Sequence, residues 1–526
     1  MQRIIWQSIN KYKLPIYTLR LPGSRLYVVN DIALIPIIQQ HVRALSISPI
    51  MVWFFSHFMG VSKGALHIAS RDPLENHGFI HQITFETTKI LSPGPNLDGL
   101  NVKAVLNLSQ SLDNLCANMR LSTEIMLATT NSVYGLRNPF KSPDVQAAYR
   151  DYEAGLMIMM AGLFPRLLAR ETLTARDTLA QAFKRYYAAQ VLEEGSSVYA
   201  RNRYEYPLKQ GMDVQDMTRM ETGGATGLPS NTTPATFWRI YHIFSDSIAL
   251  WDCRREVKKA VHENNGEKCL DLLYVKSSCP ILVSTMQEAF RCHSIGVSAR
   301  TVVEHHMLDG KYLLKNSFSW FPPIYPIPMT RSEVNLICNR GSTVLIPSNV
   351  QHSVSSSWGD NVSELYHKRF IRDTEFKKYN AAAFCAFEGG VNPCPGRHPA
   401  STEIPAFASV ILLRFDIKPL DGQWTMARYR EANAVFRLPS RDVRVELIPR
   451  DNKRWRVILS EPGKPMELTN SIPTSSDEET GIYSLDHHED TGSDLHTVSL
   501  NWVGALTVEV PHDPPVKMSG HGFKSN

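Results

Sequence analysis

Between about residues 31 and 290, apolar residues recur at helical spacing and clean period-two alternation is scarce. Ala, Leu, Met and Gln are dense there, which predicts a long, mostly helical region. The strongest signal runs from Thr232 to Val257, where Phe237, Ile240, Tyr241 and Phe244 share a helical stripe. Asp151 to Val198 predicts two helices joined by a short turn. The most apolar run, Ile50 to Val61 (IMVWFFSHFMGV), is about half the ~20 residues that a membrane span requires. It predicts a buried or membrane-surface helix. In LPIYTLRLPGSRLYVV, residues 14–29, two β-rich runs flank a Pro-Gly turn and predict a hairpin. After Arg291 the pattern changes to short β-rich pieces: Ser298 to Val303, Lys311 to Leu314 and Thr343 to Pro347. A turn-rich stretch, Ser355 to Glu388, precedes a new helix that begins near Cys394 and runs towards Leu413. Further β-like runs lie at Val443 to Ile448 and Trp455 to Leu459. From about Pro465 the chain turns polar and acidic (SIPTSSDEETGIYSLDHHEDTGSD), which predicts disorder. The predicted class is mainly α with small β-sheets.

Composition narrows this picture. With 526 residues, 43% hydrophobic and 20% charged, the chain has the make-up of a large globular enzyme, not of a fibrous or disordered protein. A net charge of +5 is mild at this length and argues against nucleic acid as a partner. It suits a basic docking face for an acidic partner. None of the eight cysteines forms a C-x-x-C pair, which disfavours a zinc ribbon or a redox dithiol. So few cysteines in so long a chain predict a reducing environment without a disulfide framework. The first residues are interrupted early by charge and read as neither a signal peptide nor a spanning helix.

The most informative stretch is AFCAFEGGVNPCPGRHPASTEIPAFASVILL. One cysteine, Cys394, follows a Gly-rich turn and opens a helix. Gly389, Gly390 and Gly396 would let the backbone approach a flat ligand. The helix N-terminus favours a thiolate at Cys394. A thiolate on a haem iron pushes electron density towards the metal and favours O–O cleavage. Cys385, nearby, lacks the glycine frame and reads as packing.

These residues resemble the haem loop of the cytochrome P450 family, F-x-x-G-x-R-x-C-x-G, at Phe387, Gly390, Cys394 and Gly396. Asn392 stands where the family has a propionate-binding Arg or His. Ala400 and Glu403 continue the family's C-P-G-R-x-F-A-x-x-E, with Pro399 in the aromatic place. Other segments resemble the family in order along the chain. Glu288 and Arg291 form an E-x-x-R, which the resemblance joins to Arg369 of LYHKRF in a structural network, with His367 where the family has proline. Arg300, in SIGVSART, corresponds to a propionate partner, and Ile295 and Val297 would face substrate. In GLPSNTTPATFW, Asn231 takes the acidic position of [AG]-G-x-[DE]-T-[TS] and Thr232 the threonine. Thr232 would serve proton delivery through an ordered water that Asn231 orients, and Pro234 would open the helix locally. This variant resembles the sterol 7α- and 12α-hydroxylase and prostacyclin synthase branch. The helix carrying a W-x-x-x-R haem contact is not recognisable; His77 and His81 are the nearest polar substitutes.

The resemblance implies a cytochrome P450 fold over residues 1–463, with heme b (iron protoporphyrin IX) between the central helix and the Cys394 helix. It implies a monooxygenase of fungal secondary-metabolism type. The partners would be O2, NADPH-cytochrome P450 reductase and a hydrophobic terpenoid, meroterpenoid, polyketide or sterol. The location would be the cytosolic face of the endoplasmic reticulum, with peripheral membrane contact and no N-terminal anchor visible in this chain. Two alternatives stand beside it: a reductase-independent haem-thiolate isomerase or dehydratase, which the missing acid at Asn231 favours, and a degraded paralogue without haem. Asn316 to Arg340 reads as an atypical insertion that interrupts a hairpin between GKYLLK and GSTVLIP. Residues 464–526 read as a disordered extension.

Overall fold

The computed structural model describes residues 14–460, except 22–23, 73, 76, 115–118, 162–164, 190–194, 265, 317–341, 372–379, 391–392, 426–428, 431–434 and 440–442. It also describes the backbone of 482–483 and 496–500. The architecture is mainly helical with small sheets. The hairpin read from the sequence forms as β1 (Ile16–Leu21) and β2 (Ser24–Val29), antiparallel from Ile16 opposite Val29 to Leu21 opposite Ser24. It joins a five-stranded sheet in the order β1-β2-β9-β6-β3, with β3 at Leu45–Ser46, β6 at Val297–Val302 and β9 at Thr343–Pro347. A short helix, α1 (Leu34–Gln40), follows the hairpin.

Four long helices pack together around one core: α2 (Pro95–Asp113), α3 (Leu121–Tyr134), α4 (Pro229–Ser245) and, after the cysteine loop, α7 (Arg397–Arg414). In α4 every residue from Thr232 to Tyr241 is buried, so this helix is wrapped by neighbours on all sides. Phe237, Trp238, Ile240 and Tyr241 supply most of its apolar surface. Two further helices matter for the site. They are α5 (Ser247–Val257) and α6 (Pro280–His293), both in contact with α4 and α7. A second core, formed with the helices before Gly227, gathers Phe55, Phe58, Met59, Tyr134, Tyr152 and Phe183. The IMVWFFSHFMGV run belongs to it: helix Ser48–Phe54 passes into a π-helical turn, Phe55–Met59, and stops at Gly60 in a left-handed conformation. No helix among the described residues is long and apolar enough to cross a membrane.

The structure corrects three local readings. The stripe from Thr232 to Val257 is two helices, because the Asp246 carboxylate caps α5 by accepting from the Ile248 and Ala249 N–H groups. Helical periodicity carries across that corner, so apolar spacing alone misses it. Asp151 to Val198 is likewise more broken than two helices. It takes in the end of Pro143–Ala154, the short helices Leu156–Ala161 and Pro165–Leu168, and then Arg170–Ala188.

The third correction concerns the hairpin expected between GKYLLK and GSTVLIP. β8 (Tyr312–Leu314) pairs instead with β7 (His306–Leu308), while β9 lies between β2 and β6. The segment 317–341 therefore links two different sheets; it lies outside the described residues. Within the extension after residue 463, Ile482–Tyr483 pairs with Trp455–Ile458, and His496–Leu500 pairs with Val443–Pro449. The rest of that extension lies outside the described residues.

Candidate functional site

Cys394 is half-buried and stands just before α7, with Gly396 at the helix cap. Its own N–H donates to the Phe387 carbonyl at 3.0 Å, which closes the loop. Its sulfur accepts the backbone N–H groups of Gly396 and Arg397. Burial nevertheless pushes the thiol's pKa up, with those two N–H groups and the Arg397 charge pulling it down. A bound metal ion would offset that burial, because a coordinating thiol is deprotonated outright.

The glycines divide into two kinds. Gly390 has φ +69°, and a Cβ there would fall 2.4 Å from the Gln39 Cβ at the end of α1. At Gly389 a Cβ would meet the Gln39 amide at 2.7 Å. These two are small because α1 presses on the loop, not because a ligand does. At Gly396 an added Cβ would meet one atom, the Cys394 sulfur, at 3.7 Å. An added side chain there would come into ordinary contact with the sulfur.

Behind the loop, Phe387 packs edge-on against Phe290 of α6, with ring centroids 5.0 Å apart. Ala235 of α4, Ile404 of α7, Met286 and Phe436 complete this apolar cluster. The segment carrying Val435 and Phe436 is held because the Val435 carbonyl accepts from Ile295 and Gly296 N–H. Ile295 is buried, whereas Val297 is exposed and does not face a buried site.

Glu288, Arg291 and Arg369 come together. Arg291 grips both oxygens of Glu288, Nε to Oε2 at 2.7 Å and Nη2 to Oε1 at 2.9 Å. Arg369 Nε donates to Oε1 at 2.9 Å, and so does the Tyr366 N–H at 3.0 Å. The remaining guanidinium N–H groups reach the carbonyls of His352, Trp358, Asn361, Val362 and Glu364. The network therefore fastens α6 to the turn-rich stretch leading to Cys394. His367, in the place of the family's proline, pairs with Asp252 of α5 at 3.0 Å. Trp358 is buried, and its indole N–H donates to the Gln351 carbonyl. The buried His352 Nε2 accepts from the Cys385 N–H at 3.0 Å.

Asn231 and Thr232 lie in the first turn of α4; Thr232 is buried and Asn231 half-buried. The helix is interrupted at Gly227 and Leu228, upstream of Thr232, where the N–H groups turn back to Gly224 and Ala225. The local opening expected at Pro234 is not seen there; the break is the boundary between two helices upstream. Pro234 sits inside the helix and contributes differently: it has no N–H to give to the Ser230 carbonyl.

Arg300 on β6 is buried, and its Nη1 donates to Ser298 Oγ at 3.2 Å and to the Ala299 carbonyl at 2.9 Å. Its Nη2 faces Glu388 Oε2 at 3.1 Å. Asn392 lies outside the described residues. His81 is exposed on its helix, and His77 is paired with Asp72 on the surface, so neither faces the loop cluster. Sequence reasoning missed three contributors: Gln39, Glu388 and the Thr129 hydroxyl, which donates to Glu403 on α7 at 2.5 Å. Glu388 lies inside the motif, but Gln39 and Thr129 carry no local signal.

The arrangement offers one thiol on a helix start, an apolar wall, a threonine at a helix break and a buried guanidinium. The donor set suits a flat, apolar cofactor with an iron centre and acidic edges. No family model matches the chain. Comparison with characterised proteins does find relatives. A cytochrome P450 monooxygenase of Hypoxylon pulicicidum, nodJ, is 29% identical over 438 residues, covering 79% of each chain. A cytochrome P450 monooxygenase of Gibberella zeae is 25% identical over 79% of this chain and 77% of its own. The cholesterol 7-alpha-monooxygenase of Cricetulus griseus is 23% identical over 52% of this chain and 53% of its own.

Proposed function

Because this chain belongs to the cytochrome P450 family of monooxygenases, we propose that it inserts one oxygen atom from O2 into a hydrophobic secondary metabolite, with haem on Cys394. The second oxygen leaves as water, with two electrons drawn from NADPH through an external reductase. The observation that carries this reading is the Cys394 sulfur, held at a helix start by two backbone N–H groups. Haem held by this thiolate would supply the oxygen activation.

The chain's own residues supply the rest. Cys394 would hold the iron, its two N–H donors tempering the charge on sulfur. The Glu288 network holds the loop's supporting stretch in place. Arg300 would bind a carboxylate edge of the cofactor. Thr232 offers a hydroxyl for proton delivery, and Asn231 can orient a water but has no acidic proton. The Ser230 carbonyl, left without a helical N–H by Pro234, gives that water a further acceptor.

The substrate reading is a rigid, apolar terpenoid, meroterpenoid, polyketide or sterol. It is supported by the fungal relatives and by the cholesterol named for a more distant one. Attachment at the cytosolic face of the endoplasmic reticulum fits the same family reading.

The test is the carbon monoxide difference spectrum of the reduced full-length protein. A strongly red-shifted Soret band is expected, and Cys394→Ala should abolish it. A normal band in that variant would remove Cys394 from the ligand role. Rearrangement or dehydration of a peroxide substrate without NADPH and reductase would favour the isomerase or dehydratase chemistry instead.

A further inference from the structure

Arg300 already has an anion of its own. Its guanidinium is 4% exposed and its Nη2 lies 3.1 Å from Glu388 Oε2, while Glu388 itself is one-third exposed (34%). A buried guanidinium without an anion is costly, so this pair satisfies the cation inside the protein.

Glu388 also stands on unusual backbone. Its φ is +58°, a left-handed conformation that glycine, Asn and Asp adopt more readily than Glu. The two residues that follow it are glycines. A long acidic side chain is thus kept at a strained position inside the cysteine loop, and it reaches the cation that a haem carboxylate would use.

We propose that Glu388 competes with the cofactor's carboxylate for Arg300 and so limits how tightly this chain holds haem. This rests on the haem reading above and deepens it. A second carboxylate arriving at Arg300 meets a cation already paired with Glu388. The two anions must then share one guanidinium, and each repels the other. Two of the guanidinium's N–H contacts are committed to Ser298 and Ala299, which restricts Arg300 from turning to serve both. Asn392 brings no compensating charge where the family has Arg or His.

The experiment measures haem loss from the full-length reconstituted protein to excess apomyoglobin, followed by Soret absorbance. Glu388→Gln keeps the side chain's length and backbone strain but removes the charge. It is expected to slow haem loss about tenfold. Glu388→Gly, which also relieves the backbone, should slow it as well and guards against a misfolded Gln variant. Arg300→Gln should speed haem loss, and in Arg300→Gln/Glu388→Gln the benefit of removing Glu388 should vanish. Equal or faster loss from Glu388→Gln and Glu388→Gly, or a benefit that persists without Arg300, would overturn the competition while leaving the haem reading intact. Failure of the wild-type chain itself to take up haem would overturn both.

Discussion

At the scale of single residues, Glu403 shows how burial sets chemistry. It is buried on the helix that starts beside Cys394, where it accepts a hydrogen bond from Thr129. Burial pushes its pKa up to about 7, with the Thr129 hydrogen bond pulling the other way. In the unfolded chain the same carboxyl titrates near 4.5. Between those two values the folded state holds a proton that the unfolded state has lost. Stability must therefore fall as pH rises through that window, by on the order of 3 kcal/mol in all, and level off above it. Glu403→Gln, neutral at every pH, should remove this part of the slope. Urea midpoints of the two proteins between pH 5 and 8 check it; parallel profiles would mean that Glu403 is solvated. The acid was visible in the sequence as part of the C-P-G-R-x-F-A-x-x-E resemblance. Its partner was not, because Thr129 lies far away in the chain on a helix that only packing brings near.

At the scale of elements, the Glu288 carboxylate joins α6 to the stretch before the cysteine loop. Four groups donate to its two oxygens, and both it and the two arginines are buried. Removing the charge strands two guanidinium groups away from water. Glu288→Ala should cost roughly 3–5 kcal/mol, read as a lower urea midpoint and a smaller fraction of protein carrying haem. A loss below about 1 kcal/mol, the worth of an exposed ion pair, would mean that the arginines find other partners. Spacing placed Glu288 and Arg291 on one helical face, and this much was legible. The five carbonyls that take up the spare N–H groups were not, since backbone acceptors leave no mark in a sequence. The corner at Asp246 was hidden for a related reason: its apolar neighbours keep helical spacing on both sides of the cap.

At the scale of the whole molecule, the segment 317–341 poses the clearest test. Its two ends meet the same place. Asn316 Nδ2 donates to the Val303 carbonyl at 2.6 Å, and the Val302 N–H donates to the Ser342 carbonyl at 2.8 Å. Lys315 N–H also donates to the Tyr27 hydroxyl, and Tyr27 lies opposite Val344 in the sheet. A short linker can therefore close the chain after 317–340 are deleted, and loop closure costs little more or less with length. The deletion should leave the thermal midpoint and the carbon monoxide spectrum unchanged. Loss of soluble protein would show that the segment contributes to the fold.

The sequence by itself determined the mainly helical class, the central apolar helix, the cysteine loop and the order of the charged motifs. Those features depend on spacing within one element, where periodicity and turn chemistry act over a few residues. Only the tertiary structure decided that Gln39 imposes the glycines at 389 and 390, that β8 turns back on β7, and that Glu388 takes hold of Arg300. Each of these joins residues with no fixed spacing along the chain. Close approach of distant backbone, strand pairing and the pairing of buried charges are settled by packing, and packing exists only once the whole chain has folded.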